Sequence, residues 1–544
     1  MRKILLAGAV MLAVTGCDTQ TGDKHEAAAD AGRLEADVRF LADDLLEGRE
    51  AGSRGYDIAA KYVAERYRSL GLEPGGGDGT YYQTVPMRAV TSADQASGSV
   101  TLSGAGAPAS FERNVDYVVS PTSRSVQASV TAPVVFVGFG FVSEDYGRDD
   151  YEGLDVEGKI VALLYGSPKS VNSEERAHYN ATRSQRASER GAIGTLTIWT
   201  PELEQRYPFE RAVKNNGRGT SMVWLDANGE PHSTAPNIKG GAAVGMAGAQ
   251  KLFANAPASW EEILAAAETD EGEVPAFDLD MTATIVSQTA EHNETAAPNV
   301  VGILRGSDPA LRDEYVILTA HLDHVGIRPT PEEGDDELHN GAMDNAAGTA
   351  SLLEAARLLA KNPPRRSVVF VALTAEEKGL VGSDYYAHNP TVPKDKMVAN
   401  INLDMPIVTY AFTDVIAFGA ERSTLYPEVE AAAARAGLTL SPDPDPAQGL
   451  FTRSDQYSFV KQGVPALFLK TGFAGDGEAA QKKFRATHYH KPSDEPDLVD
   501  YEQLRRFAQV NYEIAVGVAT MDARPVWKKG DFFGRTFGGP MEEE

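Results

Sequence analysis

Four short, largely apolar runs in the second half of this 544-residue chain decide what it can fold into: 315–319, 367–373, 398–403 and 464–469. Each has the length of a strand buried on both faces. Helical patterns lie between them; over 345–359, Leu352, Leu353, Ala356 and Leu359 fall on one face. Strand, loop and helix in repetition predict an α/β fold, a mostly parallel mixed sheet sandwiched by helices.

In such sheets ligands bind beyond the carboxyl ends of the strands, and those ends carry chemistry here. The 315–319 run leads into His321-Leu322-Asp323-His324. One imidazole can bind a metal while a carboxylate two residues on holds its other ring nitrogen; a histidine at a strand end is also an ordinary structural residue. Gly341-Ala342-Met343-Asp344-Asn345-Ala346-Ala347-Gly348 opens a helix. Asp and Asn suit a helix cap, but the small residues around Asp344 also allow close approach of backbone or ligand. After the 367–373 run comes Thr374-Ala375-Glu376-Glu377. Adjacent glutamates are common on exposed helices; at the end of a buried strand they can divide the work of metal ligand and general base. Asp404 ends the 398–403 run, where an acid costs desolvation energy unless something such as a metal pairs with it. His488-Tyr489-His490 is followed by Asp494, again a histidine with a carboxylate placed to orient it.

Two histidines and three acids suit zinc, which takes nitrogen and oxygen ligands, whereas calcium favours all-oxygen sites. Five ligands exceed one ordinary zinc site. Two ions ~3.5–4 Å apart, bridged by one carboxylate, use them all.

The N-terminus reads as an export signal. Arg2 and Lys3 precede an apolar stretch, 4–14, too short to span a bilayer, and then Thr15-Gly16-Cys17. Residues 12–17 resemble a bacterial lipobox, which implies acylation of Cys17, the chain's only cysteine, and attachment to a membrane facing the periplasm. Several acyl chains anchor stably at ~0.8 kcal/mol per buried CH₂. Asp18 resembles an inner-membrane retention signal of enteric-type bacteria. Residues 18–32 read as a polar tether, and 33–110 as the first catalytic segment, beginning with two helices over 33–71. Residues 111–290 read as a separate β-rich insert with short strands at 134–137 and 160–164, 291–523 as the second catalytic segment, and 524–544 as an irregular acidic tail. A net charge of −27 with no basic stripe excludes nucleic acid as a partner.

Taken in order, the five strand-end motifs resemble the zinc exopeptidase family that includes bacterial leucyl aminopeptidases, aminopeptidase Y and glutamate carboxypeptidase. The resemblance covers roughly 33–110 and 290–520. It implies a dizinc aminopeptidase acting on peptides, with Asp344 bridging the ions, His321 and Asp404 completing one site, and Glu377 and His490 the other. It makes Glu376 the general base and Asp323 and Asp494 partners of the ligand histidines. It further makes Tyr489 an oxyanion-stabilising group and Arg453 a substrate contact, and the Asp344–Asn345 peptide cis. His324, His339 and His488 are surplus. Residues 137–161 resemble a protease-associated domain, which implies a wall for the active-site cleft. Alternatives on the same scaffold are a carboxypeptidase or dipeptidase, which needs a cationic pocket that no clustered pair of arginines in the sequence supplies, and a glutaminyl cyclase. A metal-free binding or scaffold homologue is the alternative outside enzymology.

Overall fold

The structure is a computed structural model and describes residues 28–92, 98–216, 220–328 and 334–543. The export signal with Cys17, and most of the tether, lie outside the described residues. No helix among the described residues is long and apolar enough to cross a membrane.

The apolar runs form strands Tyr315–His321, Ser367–Leu373, Met397–Asn402 and Ala466–Thr471. The first lies between the second and third in parallel register, and the fourth extends the sheet in parallel beyond the third. Every residue of these four strands is buried. Asp414–Phe418 adds an antiparallel strand on one side, and the end of Phe277–Leu304 adds another beside Ser367–Leu373. The sheet is mixed, as the alternation of elements predicts. Helix Ala347–Lys361 covers one face with Ala31–Leu41 and Tyr501–Thr520 packed against it. The last of these starts where Asp500 accepts the backbone N–H groups of Glu502 and Gln503, which satisfies two otherwise unpaired donors.

Phe277–Leu304 is one 28-residue strand. Its last residues pair with the catalytic sheet, its middle with Tyr82–Ser92, and its first residues with Gln127–Phe136 and Ser99–Ser103. From there the sheet continues through parallel strands Ile160–Leu164, Gly194–Ile198 and Gly240–Val244, closing on antiparallel Tyr117–Val119. The 111–290 segment is less β-rich than its short apolar runs suggest. Helices Ser173–Ala181, Arg183–Glu189, Pro201–Arg206, Phe209–Asn215, Met246–Leu252 and Trp260–Ala267 alternate with its strands. They are too short for a clear periodicity: the longest, Ser173–Ala181, has 9 residues.

A second hydrophobic core joins this segment to the rest of the chain. Phe136, Ile160, Leu196 and Phe253 cluster with Phe418, Phe451, Tyr457 and Phe533. The C-terminal residues, expected to be irregular, are packed instead. Trp527 is fully buried with its indole N–H donated to the Gly463 carbonyl at 2.9 Å, and Phe532–Thr536 is helical. Trp527, Phe532 and Phe533 give this short segment enough apolar surface to dock.

Candidate metal centre

Four loops beyond the strand ends bring the five expected ligands together. His321 is the last residue of its strand; its Nε2 lies 3.3 Å from Asp344 Oδ1 and 3.4 Å from Asp404 Oδ1. His490 Nε2 lies 3.1 Å from Asp344 Oδ2 and 3.1 Å from Glu377 Oε2. Asp344 thus offers one oxygen to each group. Two atoms bound to a tetrahedral zinc at about 2.0–2.1 Å stand roughly 3.3–3.4 Å apart, so both groups have ligand-like spacing.

The loops are fixed from behind. The Asp344–Asn345 peptide is cis. The Asn345 amide donates to the carbonyls of His321 (3.3 Å) and Leu403 (3.1 Å), while its oxygen accepts from Gly348 N and Met405 N. One side chain therefore ties together the loops that carry His321, Asp344 and Asp404. Ser454 donates to Asp404 Oδ2 at 2.6 Å.

Asp323 and Asp494 hold backbone more than histidine rings, which corrects the role expected of them. Asp323 meets His321 Nδ1 with its carbonyl at 3.1 Å; its carboxylate is 4.0 Å from that nitrogen and accepts the backbone N–H groups of Glu376 and Glu377. The carboxylate of Asp494 accepts those of Met343 and Asp344. Each acid faces a tight turn whose N–H groups have no helix or strand partner, and these outcompete the more distant ring. Burial raises Asp323 to about 6 and Asp494 to about 7.

Three further groups belong to this centre. His324, expected to be surplus, is fully buried with Nδ1 2.8 Å from Glu377 Oε1, out of hydrogen-bond alignment. With Asp344 and Glu377 it forms a second ligand-capable triad beside His321, Asp344 and Asp404. Its ring sits where Gly341, at φ +57°, has no side chain; a Cβ there would stand 2.5 Å from the imidazole. Arg49 is buried beneath the loops and donates to the carbonyls of Leu322 (2.9 Å), Asn340 (2.7 Å), Gly341 (3.1 Å) and Leu41. Burial lowers it to about 10, against the pull of Asp323, Asp494 and Asp344. Lys470 donates to the Met405 carbonyl at 2.8 Å; burial lowers it to about 8 with Asp404 opposing. Arg49 comes from a segment remote in sequence, which hid it, whereas Lys470 directly follows the 464–469 run.

The acid excess is large. Burial holds Glu376 well above the usual carboxylate range, and Glu377, Asp455 and Asp404 add to it. Asp455 is fully buried, both of its oxygens lack a hydrogen-bond partner among the described residues, and burial lifts it to about 7. Asp344, despite burial, is held well below that range by His321 and His490. A dense group of buried acids costs free energy unless cations compensate it, and Arg49 and Lys470 do so only in part. The unpartnered atoms of His324 and Glu377 face the same centre, so the donor set fits divalent metal.

A third ligand-capable group, His232, Asp384 and His388, lies outside this centre. There Asp384 accepts from Lys461 Nζ at 2.6 Å and Trp224 Nε1 at 2.8 Å, which balances its charge without an ion.

Tyr489 stacks on His490 with ring centroids 3.9 Å apart and is 38% exposed. With Arg453 it lines a cleft of about 1330 Å³ that begins at His490 and runs along the 111–290 segment.

Residues 299–515 match Peptidase family M28. The matched stretch contains all five candidate ligands and Glu376. A 106-residue stretch is 37% identical to a probable zinc metalloprotease of Pyrenophora teres f. teres, covering 20% of this chain and 22% of that protein. A 114-residue stretch is 35% identical to aminopeptidase YwaD of Bacillus subtilis, covering 21% and 22%. An aminopeptidase of Pseudomonas aeruginosa is 28% identical over 291 residues, covering 52% and 46%. The matches thus span about a fifth of the first two relatives and under half of the third. Among solved structures, an aminopeptidase from Aneurinibacillus sp. strain AM-1 aligns over 91% of this chain and 95% of its own, with 20% identity and a TM-score of 0.49.

Proposed function

We propose that this chain is a dizinc aminopeptidase that removes N-terminal residues from peptides. The observation that carries the reading is the division of ligand atoms into two groups sharing Asp344, one carboxylate oxygen to each. His321 and Asp404 complete one site and Glu377 and His490 the other, with His324 beside the second. Zinc held there supplies Lewis acidity, which acidifies a water and polarises a carbonyl.

The chain's own residues do the remaining work. Glu376 takes the proton of the attacking water and returns it to the leaving amine. Its backbone N–H, anchored on Asp323, fixes its position. Tyr489 steadies the developing oxyanion. Uncommitted carboxylates at the centre attract the substrate's α-ammonium group. Residues 111–290 act as a protease-associated-like wall of the cleft. The N-terminal signal exports the chain, and acylation of Cys17 holds it on a bacterial membrane facing the periplasm.

Glu376→Gln keeps two equivalents of zinc by metal analysis and loses about 10²–10⁴-fold in kcat on leucine p-nitroanilide; a zinc-loaded variant with wild-type turnover sinks the base assignment. Labelled palmitate is incorporated by the wild type and not by Cys17→Ser.

A carboxypeptidase or dipeptidase reading gains from the cleft, where Arg453 and Arg485 stand together although the sequence shows no clustered pair. Cleavage of N-acetylated dipeptides with a free C-terminus, in the absence of action on aminoacyl nitroanilides, favours it.

A further inference from the structure

The cleft opening at His490 is strongly cationic in a chain whose net charge is −27. Arg176, Arg183, Arg206 and Arg211 line it from the inserted segment, Arg453 and Arg485 from residues 299–515, and two lysines join them. Glu202 is the one carboxylate in its lining among the described residues, and it pairs with Arg176 at 3.1 Å. None of the other cations has a carboxylate within ion-pair distance among the described residues.

These arginines are held in place without being neutralised. Arg183 lies over the Tyr165 ring at 4.8 Å, and its Nε is buried with no hydrogen-bond partner among the described residues. Arg206 donates to the Tyr165 hydroxyl at 2.9 Å, and Arg211 lies over the Tyr207 ring at 5.2 Å. Among the described residues Arg453 and Arg485 reach only glutamine oxygens, each at 3.5 Å. Aromatic faces fix a guanidinium by cation–π attraction while leaving its N–H fork free for a carboxylate. Like charges gathered this closely and left unpaired cost free energy that an anionic ligand recovers.

We propose that this cleft selects peptides carrying carboxylates on the leaving side of the scissile bond. This rests on the peptidase reading and adds a substrate class to it. The carboxylates come from Asp or Glu side chains or from the C-terminus of a short peptide. The volume accommodates several residues, beyond the ordinary ~300–1,000 Å³ of a small-ligand pocket.

The test compares kcat/KM of the zinc-loaded full chain on Leu-Gln-Gln-amide, Leu-Glu-Glu-amide and Leu-Gln-Gln with a free C-terminus. The expected result is a preference of about tenfold or more for at least one acidic form, collapsing in about 0.5 M salt. Preference for the second peptide assigns side chains; preference for the third assigns the terminus. Arg206→Glu/Arg211→Glu reduces the preference at least severalfold with an unchanged melting temperature; Arg211→Gln stands in if the double variant fails to fold. Calorimetry with N-acetyl-triglutamate, which has no free α-amine, reads the cleft without turnover; binding is expected and is lost in the variant. Binding without hydrolysis of any peptide fails the peptidase reading and leaves the cleft assignment standing. Equal kcat/KM on all three peptides, or no binding of the acetylated probe, overturns the proposal.

Discussion

Two regions meet at His490 and carry opposite unbalanced charge. On one side Asp344, Glu377, Asp404, Glu376 and Asp455 gather around His321, His324 and His490, with Arg49 and Lys470 as partial compensation behind them. On the other, arginines from two distant segments line a cleft with a single, already paired carboxylate among its described residues. Neither excess is the cheapest arrangement of a folded chain, because buried or crowded like charge is destabilising. Each is explained by a ligand of opposite sign: the acids by divalent metal and a substrate ammonium, the arginines by substrate carboxylates. The difference also separates geometry from field. The acids are held at ligand spacing by fixed turns, whereas the arginines lie on aromatic rings and present donors over a wide wall.

The largest expected effect breaks the acid side. Asp344→Asn removes the charge both ligand groups share. It lowers zinc content below one equivalent and costs several kcal/mol of transition-state stabilisation, on the order of a thousandfold in kcat/KM. The arginine wall is untouched, so N-acetyl-triglutamate binds the variant as it binds the wild type. A variant with two zinc ions and full activity contradicts the shared-ligand reading.

The next change probes how the acid side is supported. Arg49→Met preserves volume and deletes the donors that hold the Leu322, Asn340 and Gly341 carbonyls, which belong to the loops carrying His321 and Asp344. Leaving those acceptors buried and unpaired costs roughly 3–5 kcal/mol, read as a lower denaturant midpoint. Zinc affinity falls by about 10–100-fold, as it does when an outer partner of a metal site is lost. Unaltered zinc affinity shows that the loops hold their shape without Arg49.

What the sequence disclosed follows the same division. Three of the candidate ligands are legible because each sits at the end of a run that reads as a buried strand, where an acid or histidine is conspicuous. His321, Glu377 and Asp404 are of this kind, and their order carries the family resemblance. The supports are not legible. Arg49 lies 273 positions before Leu322 yet bonds to it, and nothing local to Arg49 distinguishes it from a surface arginine. The arginine wall is hidden for the same reason. Arg183 and Arg485 line one cleft only through the packing of the 111–290 segment on residues 299–515, and each alone looks like solvated charge. Likewise the turn N–H groups that capture Asp323 and Asp494 exist only once the loops are folded.

The smallest expected effect lies at the seam behind the arginine wall and is read by pH. His178, on helix Ser173–Ala181, is 7% exposed, rings of Phe532, Phe533 and Phe537 surround it, and its Nδ1 lies 2.6 Å from the Tyr457 hydroxyl. Burial, with the nearby cations Arg186 and Lys461, lowers it to about 4. The unfolded chain titrates near 6.5, so between these values the unfolded state binds more protons than the folded one. Stability from the neutral ring is therefore fully present above about pH 6.5 and is lost as pH falls towards 4, by up to roughly 3 kcal/mol. His178→Gln keeps a polar partner for Tyr457 and cannot titrate, so its melting temperature falls less than that of the wild type between pH 7 and 4.5. Parallel curves for the two proteins would show that the seam does not hold His178 neutral, and that the cationic wall continues to this ring without penalty.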